Sequence, residues 1–99
     1  MEISQRIYNG DRAQEILDNE AFNAAFVDIE REILEQWKQS PARDLDGREK
    51  LWLMLSLLSK LKTTLESSIS TGKLAKLELK HQRSIAERVK DARLAFSDE

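Results

Sequence analysis

Apolar residues are distributed very unevenly along this chain. Seven of the eight positions from Leu51 to Leu58 are apolar, a concentration found nowhere else in the sequence. At about 100° per residue, Leu51, Met54, Leu55, Leu57, Leu58, Leu61, Leu65 and Ile69 fall in one stripe of a helix. The pattern predicts a central helix from about Gly47 to Ile69. Trp52 and Leu53 lie outside that stripe. A helix that is wet on its far side does not need two large apolar groups there. The first half of the central helix is therefore expected to have neighbours on more than one face.

Upstream, the same period recurs from Glu20 to about Gln39. Phe22, Ala25, Phe26, Ile29, Ile33 and Trp37 share a stripe, with Asp28, Arg31, Glu32, Glu35 and Lys38 opposite. Val27 and Leu34, seven residues apart, form a second, narrower seam. Asn19 is placed to cap this helix, with Glu20 in the first turn where the helix dipole favours a carboxylate. Ser40-Pro41 ends it, because the residue before proline is pushed out of helical geometry. Residues 42–47 form a polar connector short enough to lay the flanking helices antiparallel, and Asp44 or Asp46 would cap the next helix.

The ends of the chain carry weaker patterns. Ser70-Thr71-Gly72 predicts a terminus for the central helix, with Gly72 supplying a left-handed position. Glycine within a helix costs only about 1 kcal/mol relative to alanine, so one continuous helix is the alternative. From Lys73 to about Phe96, Leu74, Leu77, His81, Ile85, Val89, Ala92 and Phe96 line one side, and Ser97-Asp98-Glu99 should fray. At the other end, Asn9-Gly10-Asp11 predicts a turn with Asp11 capping a short helix over 12–17, its Ile16 and Leu17 inward. The expected fold is all-α: an antiparallel helical hairpin of two long helices (core about 20–71), a short N-terminal helix and an amphipathic C-terminal helix (about 73–96). Together they make a single small helical domain, 1–99.

Composition fits that picture and narrows the functional classes. Hydrophobic residues are 40% and charged residues 34% of the 99, the balance of a helix-rich folded chain. No apolar run approaches the roughly 18 residues of a membrane span, and Met-Glu-Ile-Ser-Gln-Arg lacks the apolar core of a signal peptide. The absence of cysteine excludes disulfides and thiolate metal sites, and a cytoplasmic location is expected. The net charge of −2 divides unequally: residues 1–50 hold 7 Lys/Arg against 12 Asp/Glu (−5), and residues 51–99 hold 9 against 6 (+3). Such asymmetry helps two halves pack or marks two contact surfaces.

Candidate chemistry is sparse. The chain has one histidine, no glycine-rich loop, and neither an H-E-x-x-H nor a G-x-S-x-G motif. His81 sits on an apolar stripe and is expected to pack. Glu30, Glu32 and Glu35 have no histidine at ligand spacing and are interrupted by Arg31, so they are expected to form a solvated face. No catalytic, cofactor or metal site is expected. One basic feature offers an alternative: Lys73, Lys76, Lys80, Arg83 and Lys90 could neutralise phosphates along a nucleic-acid backbone. Glu87 and Asp91 dilute their field, and aromatic side chains for stacking are missing from that face.

The order of local signals resembles a known group. Arg12-Ala-Gln-Glu-Ile-Leu-Asp-Asn-Glu-Ala-Phe22, then Phe26 and Glu-Gln-Trp37-Lys, then Asp46-Gly-Arg-Glu-Lys-Leu-Trp-Leu-Met54, then Thr71-Gly-Lys-Leu-Ala75 is similar to small helical proteins encoded among the virion and head-assembly genes of tailed bacteriophages. The resemblance covers about residues 11–79 and assigns no active residue. It implies a non-enzymatic, structural or assembly-related interaction protein, in the host cytoplasm or the virion. The uncovered groups Trp52, Leu53, Val27 and Leu34 are the expected protein interface, with a homo-oligomer or a phage assembly component as partner. A nucleic-acid-binding accessory factor and an inhibitor docking on a host protein are the alternatives.

Overall fold

A computed structural model of the chain describes residues 2–97, with side chains through Ala95; the expectations for Asp98, Glu99 and the Phe96 side chain lie outside the described residues. The described chain is helical, with no strand among those residues: α1 (Ile3–Leu17), α2 (Glu20–Gln39) and α3 (Leu45–Ser97). The caps of α2 and α3 follow local chemistry. The Asn19 side chain accepts a hydrogen bond from the Phe22 N–H at 2.9 Å, and Asp44 Oδ1 accepts one from Gly47 N–H at 3.1 Å. Asn23 Nδ2 donates to the Leu17 carbonyl at 2.7 Å, which ties the start of α2 to the last turn of α1. Ser40, extended ahead of Pro41, ends α2 as expected.

Two expected helix boundaries are corrected, and both concern glycine. The central and C-terminal helices are one helix of 53 residues, with no terminus at Gly72. The N-terminal helix starts at Ile3, not Arg12, and runs straight through Gly10. No glycine has positive φ, so neither residue supplies a turn. Instead the two glycines face each other across the α1–α3 contact. A Cβ on Gly10 would lie 2.9 Å from both Gly72 Cα and the Ser68 carbonyl oxygen. One on Gly72 would lie 3.0 Å from Gly10 Cα. Local propensity disfavours glycine here by about 1 kcal/mol, and backbone contact between two helices overrides it.

The same seam buries Ala13 and Ala75. Arg6 pairs with Glu78 at 3.3 Å and Asp11 with Lys76 at 2.7 Å on its flanks, so α1 runs against the direction of α3. Asp11 thus serves as an ion-pair partner rather than a cap. Ile16, expected inward, is exposed, while Leu17 is half-buried.

α2 meets the front of α3. The Arg48 guanidinium stacks 3.9 Å from the Trp37 ring centroid. It also donates to Ser40 Oγ at 2.9 Å and to the Trp37 and Ser40 carbonyls at 3.3 Å. Further along, Lys62 Nζ lies 5.6 Å from the Phe26 ring centroid. Among the described residues, Ile33 is the one large apolar side chain in the buried class, at 4% exposure.

The result is a rod, 86 × 26 × 15 Å, with a radius of gyration of 23.3 Å. A compact domain of this length would have about 13 Å. At 1.5 Å per residue α3 alone is about 80 Å long, and it sets the long dimension. α1 and α2 lie along it one after the other, each covering part of its length. Neither gives the chain a thick core.

Candidate protein-interaction surface

The covered side of α3 is a narrow seam. Seven of its half-buried and buried positions, Leu51, Leu55, Leu58, Leu65, Gly72, Ala75 and Leu79, recur at steps that sum to sevens, the repeat that keeps one edge of a long helix against neighbours. A seam of this kind is narrower than the broad stripe read from the 100° wheel. Met54, Leu57 and Leu61, expected inside that stripe, are accordingly exposed, Leu57 at 68%. On α2, Ile29 is also exposed, while Phe22, Phe26 and Trp37 are half-buried.

All four residues expected at an interface are exposed: Trp52 at 57%, with Leu53, Val27 and Leu34. Trp52 and Leu53 sit on α3 and Val27 and Leu34 on α2, each pair roughly a quarter-turn or more from the covered edge of its helix. Several residues were missed. Leu74 (66% exposed), Leu77, Ile85 and Val89, read as one side of a separate C-terminal helix less committed to the core, face away from α1. Around Gly72, the residues touching α1 and the group Leu74, Leu77, His81 and Ile85 lie on opposite sides of α3. His81, expected to pack, is exposed as well.

These outward residues are ordered. Leu53 and Leu57 begin a second row at alternating four- and three-residue steps. It passes through Lys60, Thr64, Ser67 and Thr71 and resumes with Leu74, Glu78, His81 and Ile85. The row is apolar toward both ends and hydroxylic in the middle. Its regular step was the available signal, hidden by ending the helix at Gly72. Beside the middle of the row, Arg6 and Asn9 of α1 and Lys60, Thr64, Ser67 and Thr71 line an open groove of about 410 Å³. Arg6 Nε is buried there without a hydrogen-bond partner.

The basic residues Lys73, Lys76, Lys80, Arg83 and Lys90 are all exposed on α3. Asp11 engages Lys76 at 2.7 Å, and Glu87 lies in the same arc, so the stripe is partly neutralised. Among the described residues, no group of three or more His, Cys, Asp or Glu could hold a metal ion. No helix there is long and apolar enough to cross a membrane. The chain matches no family model, no curated protein and no solved structure.

Proposed function

We propose that this chain is a non-enzymatic interaction protein whose working part is α3. The observation that carries the proposal is the exposure of large apolar groups along that helix, Trp52, Leu53, Leu57, Leu74, Leu77 and Ile85 among them. Single exposed apolar groups are ordinary. Large apolar groups clustered at both ends of one helix face mark a protein-binding surface, and tryptophan is among the residue types that most often carry binding energy. In this proposal α2 and the front of α3 act as an antiparallel hairpin. The order of contacts supports that arrangement: Trp37 on Arg48, then Phe26 beneath Lys62. The hairpin and α1 hold one side of α3 and leave the other to a partner.

The setting we propose is structural or assembly work in a tailed phage, in the host cytoplasm or the virion, and it rests on the sequence resemblance. Quantitative mass spectrometry of particles purified from the phage that encodes the chain tests it. A fixed copy number per particle is the expected result for a structural component, and presence only in immature particles is expected for an assembly factor. Absence from every assembly stage would refute both and leave the host-directed inhibitor. A nucleic-acid contact through Lys73, Lys76, Lys80, Arg83 and Lys90 is the secondary reading, favoured by their shared exposure on α3 and weakened by the Asp11–Lys76 pair.

A further inference from the structure

We propose that the outer row of α3 is occupied by a second copy of this chain, lying antiparallel, with Leu53 of each chain against Ile85 of the other. The proposal rests on the reading of α3 as an interaction helix and names its partner. The first support is area. The chain exposes 8096 Å², whereas a compact monomer of 11.4 kDa exposes about 5,800 Å². The excess is about 2,300 Å², against the roughly 800 Å² that each partner contributes to a stable interface. That excess is spread over the whole rod, and a second rod lying along the row would cover part of it.

Direction and register come from the row itself. Two antiparallel helices with seven-residue repeats pair positions whose numbers have a constant sum. When Leu53 opposes Ile85, Leu57 opposes His81, Lys60 opposes Glu78, Thr64 opposes Leu74, and Ser67 opposes Thr71 at the two-fold axis. The outermost apolar residues, Leu53 and Ile85, meet each other, Lys60 meets the Glu78 that Arg6 also pairs with, and the hydroxyls of Ser67 and Thr71 fall together at the centre. A parallel copy would set Lys60 against Lys60 and Glu78 against Glu78, a like-charge arrangement that costs free energy. The ends of the rod agree. Residues 20–50 hold 8 Asp/Glu against 5 Lys/Arg (−3), and residues 73–93 hold 7 Lys/Arg against 3 Asp/Glu (+4). An antiparallel copy brings each acidic end to a basic one.

The chain has no cysteine, which makes the test clean. Sedimentation equilibrium of the full chain at roughly 50 μM, well above the dissociation constant of a micromolar complex, should give twice 11.4 kDa. A Leu53→Cys chain mixed with an Ile85→Cys chain and oxidised should cross-link to each other, and neither should cross-link to itself. Leu53→Glu with Ile85→Glu should return the protein to a monomer with unchanged far-UV circular dichroism, because both side chains are already exposed within one chain. A wild-type mass of one chain, or of more than two, would overturn the proposal, as would self-cross-linking of Leu53→Cys. A monomer found in fixed copy number in particles would sink the dimer and leave the interaction reading standing.

Discussion

Replacing Gly72 separates the two roles a glycine can have in a helix. If Gly72 merely weakens α3, alanine should stabilise the protein by about 1 kcal/mol through helix propensity. The crossing with α1 sets a larger opposing effect. The new Cβ would sit 3.0 Å from Gly10 Cα and 3.1 Å from the Arg6 carbonyl oxygen, where ordinary carbon contacts need about 3.5–4.0 Å. Both obstacles are backbone, so α1 must withdraw by roughly 0.5–1 Å, forfeiting a quarter to a half of each contact along the Ala13–Ala75 seam. Overpacking of this kind costs about 1–3 kcal/mol, so Gly72→Ala should be neutral to about 2 kcal/mol destabilising for α1 docking. Gly72→Leu keeps α3 helical and leaves no room for α1. A free helix of 15 residues is marginal in water. The loss should then reach α1's 15 of the 88 helical residues, about one sixth of the circular-dichroism signal. Hydrogen exchange resolved by segment is the assay, with about tenfold faster exchange per 1.4 kcal/mol. Amides of α1 as protected in Gly72→Leu as in the wild type would refute the crossing.

Two further substitutions probe the contact of α2 with α3. Ile33→Ala removes the most buried large side chain, at 4% exposure, and should cost about 2–4 kcal/mol, lowering the thermal midpoint by more than about 8 °C; a shift within 2 °C would contradict its place in the core. Arg48→Lys should lose nearly as much stability as Arg48→Ala, about 1–2 kcal/mol, because an ammonium cannot both stack flat on Trp37 and reach Ser40 as the guanidinium does. Full rescue by lysine in a denaturant titration would show that charge alone matters there.

The parts of the fold legible in the sequence were those fixed by local chemistry. Asn19, Asp44 and Pro41 marked the boundaries of α2 and the start of α3, since a cap or a missing N–H acts within a few residues. Gly10 and Gly72 misled for the opposite reason. A glycine that ends a helix and a glycine that lets another backbone approach look alike until the second helix is in view. Ending α3 at Gly72 also split the outer row, so Leu74 and Ile85 were placed on a separate helix instead of in line with Leu53 and Leu57. Trp52 and Leu53 were legible as outward-facing because no single covered stripe on a helix accommodates them.

The account stands on α3 being one unbroken helix, which joins Leu53 and Ile85 in a single row. Spin labels on Lys50→Cys and Lys90→Cys, both exposed in the native chain, measure this directly when the labelled protein is diluted with unlabelled chain to suppress contacts between copies. A continuous helix places the two backbones about 60 Å apart at 1.5 Å per residue, and the electron–electron dipolar distance should be single and near that value. A chain that turns back at Gly72 would bring the labels within roughly 30 Å, and that distance would contradict the account.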